Sequence, residues 1–164
     1  MPTRWWVAGV TGESTRDNPQ KLLMGPPENL GAGMIPGDKI AHHNRAIGVP
    51  NLLDTVQVRH ASGGLSYLAF KFYEKGRQKW QGETLDGIWF DEEPPEDIYM
   101  EGLARTTTTK GICFITATPL LGMSDVIMMF YPHPSSLDRV VIQASIEDAL
   151  HIPADRDRAI RVDL

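Results

Sequence analysis

One cysteine in 164 residues, Cys113, excludes an internal disulfide. It sits in the apolar run Gly111 to Ile115, where a small buried thiol is the ordinary reading. No apolar run approaches the roughly 18 to 20 residues that a membrane-spanning helix needs. Charge and tryptophan arrive at once in Arg4-Trp5-Trp6, which is not the pattern of a signal peptide. A cytoplasmic location is the default. Cations are also in short supply: 16 Lys and Arg against 21 Asp and Glu give a net charge of −5. That balance argues against a whole-surface nucleic-acid clamp and confines any DNA contact to a local patch. Internal repeats and linkers are absent as well, so the length is that of one domain with a real core.

Against these absences stands Gly87-Ile88-Trp89-Phe90-Asp91-Glu92-Glu93-Pro94-Pro95. A short apolar run bounded by Gly and Pro predicts a buried strand of a sheet covered on both faces. Its acids then emerge at the carboxyl edge, where open α/β sheets bind ligands. Three adjacent carboxylates repel one another, and Mg²⁺ is the natural counter-ion because it is held by one or two carboxylates plus waters and phosphates. The segment has the form of a Walker B strand, with Asp91 on the metal, Glu92 orienting the attacking water and Glu93 beside them. The competing reading is an acidic first turn of the next helix, for which Pro94, Pro95, Glu96 and Asp97 are also suited.

Trp5 to Val10 predicts a strand, followed by a helix capped at Ser14 or Thr15 and stopped by Gly25-Pro26-Pro27. Residues 26 to 50 read as irregular loop with a short helix around Lys39 to Ile47. His42 and His43 are adjacent and cannot share one face of an element, which counts against a metal site. Asp54–His60 and Leu65–Phe72, separated by Ala61-Ser62-Gly63-Gly64, predict an antiparallel hairpin. The following run, with Lys71, Lys75, Arg77 and Lys79 interleaved with Tyr73 and Trp80, has the makeup of a phosphate or base contact, although a solvated loop is the commoner outcome. A helix over Glu96 to Thr106, using Ile98, Tyr99, Leu103 and Met100, leads to a second buried strand from Gly111 that ends in Thr116-Ala117-Thr118-Pro119. Ser124 is placed to cap a helix through Tyr131, Arg139 to Ala144 reads as a last strand, and the tail from Ile146 as poorly ordered. The alternation from Asp86 onward predicts an α/β fold with a mainly parallel sheet flanked by helices.

Trp6 to Gly9 with Glu13 to Asp17, Tyr73 to Asp86, Ile88 to Pro95 and Thr116 to Ser124 together resemble the ATPase domain of the large terminase subunit of tailed bacteriophages, over residues 5 to about 152. The resemblance implies a P-loop NTPase-like portion of a DNA-packaging motor. Asp91 then falls on the Mg²⁺-associated Walker B aspartate, Glu92 on the catalytic glutamate, and Thr116, Ala117, Thr118 and Pro119 on the coupling motif. Arg77 and Arg105 are candidates for phosphate or neighbouring-subunit contacts. ATP and Mg²⁺ are the implied ligands. Double-stranded DNA, a portal protein and a small terminase subunit are the implied partners, with a homo-oligomer in the full protein and no membrane. The cellular site is the cytoplasm of the bacterial host.

One part of the family pattern is missing. A Walker A loop, G-x-x-x-x-G-K-[S/T], cradles phosphates with its amides and neutralises them with its lysine. Here Lys21, Lys39, Lys71, Lys75, Lys79 and Lys110 are followed by Leu, Ile, Phe, Gly, Trp and Gly. By resemblance that loop falls before Met1 and the nuclease domain after about Ile152, so residues 1–164 are expected to be a partial ATPase domain. The expectation is weak or absent hydrolysis by this chain alone, and a sheet with a gap where the P-loop strand belongs. Two further readings accompany it: a non-catalytic prophage remnant serving as a binding module, and a fragment of a helicase-like motor.

Overall fold

The computed structural model describes residues 1–118, 122, 124–131, 138–145 and 148. Residues 1–127 and 128–164 form two compact units. Six strands of the first unit make one mixed sheet in the order β2-β3-β4-β1-β5-β6. They are β1 (Arg4–Gly9), β2 (Ile40–Arg45), β3 (Leu53–Arg59), β4 (Leu65–Phe72), β5 (Gly87–Asp91) and β6 (Ile112–Thr116). β1 pairs in parallel with both β4 and β5, and β5 in parallel with β6. β3 runs antiparallel to β2 and to β4. The predicted hairpin is β3–β4, and its turn is made by Gly63 and Gly64 at positive φ. The expected gap is not found: the described strands follow one another without interruption, with β1 between β4 and β5.

The cap of the first helical stretch lies three or four residues before the expected one. Thr11, not Ser14 or Thr15, is the N-cap, and its hydroxyl accepts from the Ser14 amide while Ser14 reaches back to the Thr11 amide. This reciprocal pairing satisfies two amides that a helix end leaves open. α1 (Gly12–Thr15) passes through a π turn at Arg16–Gln20 into α2 (Lys21–Met24). Pro19 lies inside the π turn. A proline ring clashes with the carbonyl four residues earlier and lacks an N–H, and a wider turn lets the helix continue past it. Gly25, at φ 84°, then ends it.

The segment expected to be a short helix around Lys39 to Ile47 is instead strand β2, bulged at two points against β3. His42, His43 and Asn44 are indifferent helix formers, and Arg59 fixes the entry by donating to the carbonyls of Asp38 and Ile40. Arg139 to Ala144, expected as a last strand, has no strand structure, and Val140 and Ile142 are exposed. In that unit Gln143 donates to the Tyr131 hydroxyl at 3.3 Å. Its β-branched run has strand propensity but no ladder partner among the described residues, and propensity without pairing does not make a strand.

Alternation along the strands divides the core between two faces. On one face Val7, Val56, Leu68, Phe70 and Phe72 pack with Met24, Leu52 and Leu53. The opposite face carries Trp6, Ile88 and Phe90, joined by Trp80, Ile98 and Tyr99, all buried. There Phe90 stacks on Trp80 with centroids 5.8 Å apart, and α3 (Glu96–Thr106) supplies Ile98 and Tyr99. Met100, expected on the apolar face of α3, is 50% exposed. A last helix, α4, spans Asp125–Phe130. No helix among the described residues is long and apolar enough to cross a membrane.

Candidate functional site

Parallel strands β4, β1, β5 and β6 all finish at one edge of the sheet, at Phe72, Gly9, Asp91 and Thr116. Asp91 and Thr116 are register partners on adjacent strands. The Thr116 hydroxyl donates to Asp91 Oδ1 at 3.1 Å. The acid and the hydroxyl named from the sequence therefore meet directly. Asp91 is half-buried, and removal from water pushes its carboxyl above the usual aspartate range, with the Thr116 hydrogen bond opposing the shift.

Glu92 follows with φ 67°, the left-handed region that non-glycine residues seldom occupy. Two hydrogen bonds hold it there. Its amide donates to the Thr116 carbonyl at 2.8 Å, and its carbonyl accepts from the Tyr73 hydroxyl at 2.9 Å. Its side chain is exposed at the rim. Backbone strain retained by such clamps is a mark of working sites. Glu93 turns to another partner, the Ser124 hydroxyl, which also accepts from the Ile127 amide at the start of α4. The acidic turn is thus bound to β6 through Asp91 and to α4 through Glu93.

Thr118 and Ala117 lie in coil just past β6, with Thr118 exposed, and Pro119 falls outside the described residues. Arg77 and Arg105 converge elsewhere, on the buried Glu101 of α3. Arg77 Nε is 3.1 Å from one Glu101 oxygen and an Arg105 nitrogen 2.7 Å from the other. Of the basic-aromatic run, Tyr73 and Trp80 are core residues, 5% and 0% exposed, so neither is free to stack on a base. Lys75, Gly76, Arg77, Gln78 and Gln81 line an open, polar cavity of about 570 Å³.

Two residues of the site were not assigned to it from sequence. Tyr73 donates its hydroxyl to the Asp91 and Glu92 carbonyls of the turn, and Trp89 donates its indole N–H to the Thr116 hydroxyl oxygen at 2.7 Å. For Trp89 a signal existed: it stands two residues before Asp91 on a strand, hence on the same face.

Among the described residues no three His, Cys, Asp or Glu side chains come together as a metal cage. An Mg²⁺ site needs none, since that ion keeps waters and phosphates and takes only one or two carboxylates. Asp91, a half-buried carboxylate with one oxygen accepting from Thr116, fits such a role.

A family model for the N-terminal part of the T4likevirus-type terminase large subunit matches residues 10–161. The terminase large subunit of Salmonella phage P22 is 40% identical over 167 residues, covering 97% of this chain. That of Enterobacteria phage LP7 is 35% identical over 79 residues, covering 48% of this chain and 16% of the relative. The chain spans 33% of the length of the P22 protein. In structure it is similar to the large terminase of a thermophilic bacteriophage solved in complex with ADP. That match has a TM-score of 0.61 and 16% identity, and it covers 98% of this chain and 37% of the other. The P-loop NTPase-like fold expected from the sequence is therefore the one observed, and the chain belongs to the terminase large subunits of phages, matching their N-terminal region.

Proposed function

We propose that residues 1–164 carry the acidic and coupling half of an ATPase motor that packages DNA. The observation that carries this reading is the 3.1 Å hydrogen bond between Thr116 and Asp91 at the carboxyl ends of two parallel strands. In this reading the second Asp91 carboxylate oxygen would hold Mg²⁺, and the ion would supply positive charge against the phosphates. The Glu92 carboxylate, exposed at the rim, accepts a hydrogen bond from the attacking water and orients it toward the γ-phosphate. Thr116 touches Asp91 through its side chain and Glu92 through its carbonyl. A change at the phosphate therefore pulls on β6 and on the coupling segment Ala117, Thr118 and Pro119 that continues from it. Ion pairing with Glu101 leaves part of the Arg77 guanidinium at the surface, where a phosphate or a neighbouring subunit can reach it. Double-stranded DNA, a portal protein, a small terminase subunit and further copies of the large subunit are the partners this reading implies.

Phosphoryl transfer is catalysed by positioning and charge stabilisation, to which a P-loop contributes heavily. This chain has no G-x-x-x-x-G-K-[S/T] run. The test is Mg²⁺-dependent ATP hydrolysis by two proteins: the chain itself, and the chain joined at its N-terminus to a terminase P-loop segment. Turnover below about 1 s⁻¹ is expected for the first, and turnover in the ordinary enzyme range for the second. Glu92→Gln is expected to abolish the second. An active Glu92→Gln protein removes Glu92 from the water-orienting role.

A further inference from the structure

Trp89, Asp91 and Thr116 lie on one face of the sheet, because Trp89 and Asp91 are two apart on β5 and Thr116 is the register partner of Asp91. Trp89 Nε1 is 2.7 Å from Thr116 Oγ1, and Thr116 Oγ1 is 3.1 Å from Asp91 Oδ1. An indole N–H only donates, and an ionised carboxylate only accepts. A threonine hydroxyl has a single proton. With its oxygen already taken as acceptor by Trp89, that proton has Asp91 as its partner. The chain of donors therefore has one direction, from indole to hydroxyl to carboxylate.

The indole is held where it can do this. Its ring stacks on Phe114 with centroids 5.8 Å apart and planes 17° from parallel. Phe114 in turn meets the edge of Trp5 at 6.4 Å. Among the described residues, the Thr116 hydroxyl is the acceptor that the Trp89 N–H meets.

We propose that Trp89 is a positioning residue for the cation site, aiming the Thr116 hydroxyl at Asp91 Oδ1 so that the second carboxylate oxygen faces the metal. The proposal rests on reading Asp91 as the metal-side carboxylate. Hydrogen bonds behind a first ligand fix its orientation, and losing them commonly weakens metal affinity on the order of tenfold or more. Packing alone predicts a different outcome, since Phe at position 89 preserves the stack on Phe114.

The test uses the whole chain labelled with ¹⁵N, and Mn²⁺ as the paramagnetic stand-in for Mg²⁺. Trp89→Phe identifies the Trp89 indole N–H signal among those of Trp5, Trp6 and Trp80. Thr116→Val is expected to shift the Trp89 indole signal and leave that of Trp80 in place, while Thr116→Ser restores the wild-type position. A Trp89 signal unmoved in Thr116→Val overturns the hydrogen-bond chain. In the wild-type chain Mn²⁺ is expected to broaden the Asp91 amide selectively. Trp89→Phe is expected to raise the Mn²⁺ concentration needed by about tenfold, and an unchanged concentration overturns the positioning role. If Mn²⁺ broadens nothing around Asp91 in the wild type, the metal reading fails and takes this proposal with it, whatever the indole signals show.

Discussion

The hydroxyl oxygen of Tyr73 lies 2.9 Å from the carbonyl oxygen of Glu92 and 3.1 Å from that of Asp91. One phenolic proton thus serves the backbone of both acids. Burial, reinforced by the Asp91 and Glu92 carboxylates, pushes the phenol far above its ordinary pKa and favours the protonated, donating form. The phenol is the link between the end of the β3–β4 hairpin and the strained turn. Tyr73→Phe removes it and leaves part-buried carbonyls short of a partner, a loss worth about 1 kcal/mol. Guanidinium unfolding of the two proteins measures this, and a difference under about 0.5 kcal/mol contradicts the clamp.

The two arginines differ in what they stand to lose. Glu101 is only 6% exposed, whereas the side chain of Arg77 is 57% exposed and that of Arg105 is 29% exposed. Exposed pairs contribute about 0–1 kcal/mol. Stripping a partner from a buried carboxylate costs more, about 3–5 kcal/mol when no other partner remains. Arg77→Ala is expected to leave stability within about 1 kcal/mol of wild type. Arg105→Ala is expected to cost on the order of 2–3 kcal/mol, reduced because Arg77 remains beside Glu101. Equal losses in denaturant unfolding count against this division. In a P-loop-joined protein, a motor defect from Arg77→Ala at unchanged stability marks Arg77 as a contact residue.

Most of the parallel half of the sheet could be read from residues alone. Ile88 to Phe90 are apolar, bulky and bounded, and the Gly63-Gly64 turn announces its hairpin. β2 could not be read, because His42, His43 and Asn44 carry no hydrophobic period and the strand exists through pairing with β3, with bulges that shift its register. Arg139 to Ala144 misled in the opposite sense, since a β-branched composition suggests a strand where there is no pairing among the described residues. At the site, the acids and hydroxyls were visible as strand endings. Their connections were not, because Thr116 meets Asp91 across 25 residues and Tyr73 meets Glu92 across 19. Such contacts depend on strand order and register, which local pattern does not encode.

Gly102 tests how tightly α3 is seated on β5. A Cβ there would lie 2.7 Å from Phe90 Cζ and 3.1 Å from Ile88 Cδ1. Alanine is the better helix former by about 1 kcal/mol, but overpacking costs about 1–3 kcal/mol. Phe90 is fully buried against Trp80 and cannot swing aside. The clash is therefore expected to win, with Gly102→Ala losing on the order of 1 kcal/mol in thermal or denaturant unfolding. A variant more stable than wild type would mean that the helix has room to lift.

Lys71 gives the chain a pH dependence with a definite sign. Its ammonium sits 4.5 Å from the centroid of the Trp6 ring. Burial lowers its pKa below the ordinary lysine value of 10.5, with Glu83 and Asp54 opposing the shift and Lys75 and Lys79 adding to it. Between the lowered folded value and 10.5 the unfolded chain binds more protons than the folded one. Stability therefore gains a positive contribution as pH rises through that window. Below the folded pKa the cost of burying the charge is fully present. Lys71→Met, which keeps the stem over Trp6 and has no charge to bury, should not show this rise. Denaturant midpoints at a series of pH values from about 7 to about 10.5 measure it. Wild type is expected to gain on Lys71→Met as the pH climbs. A gap that stays constant across the series means that the ammonium is as well solvated in the folded chain as in the unfolded one, and that the Trp6 contact holds it at the surface.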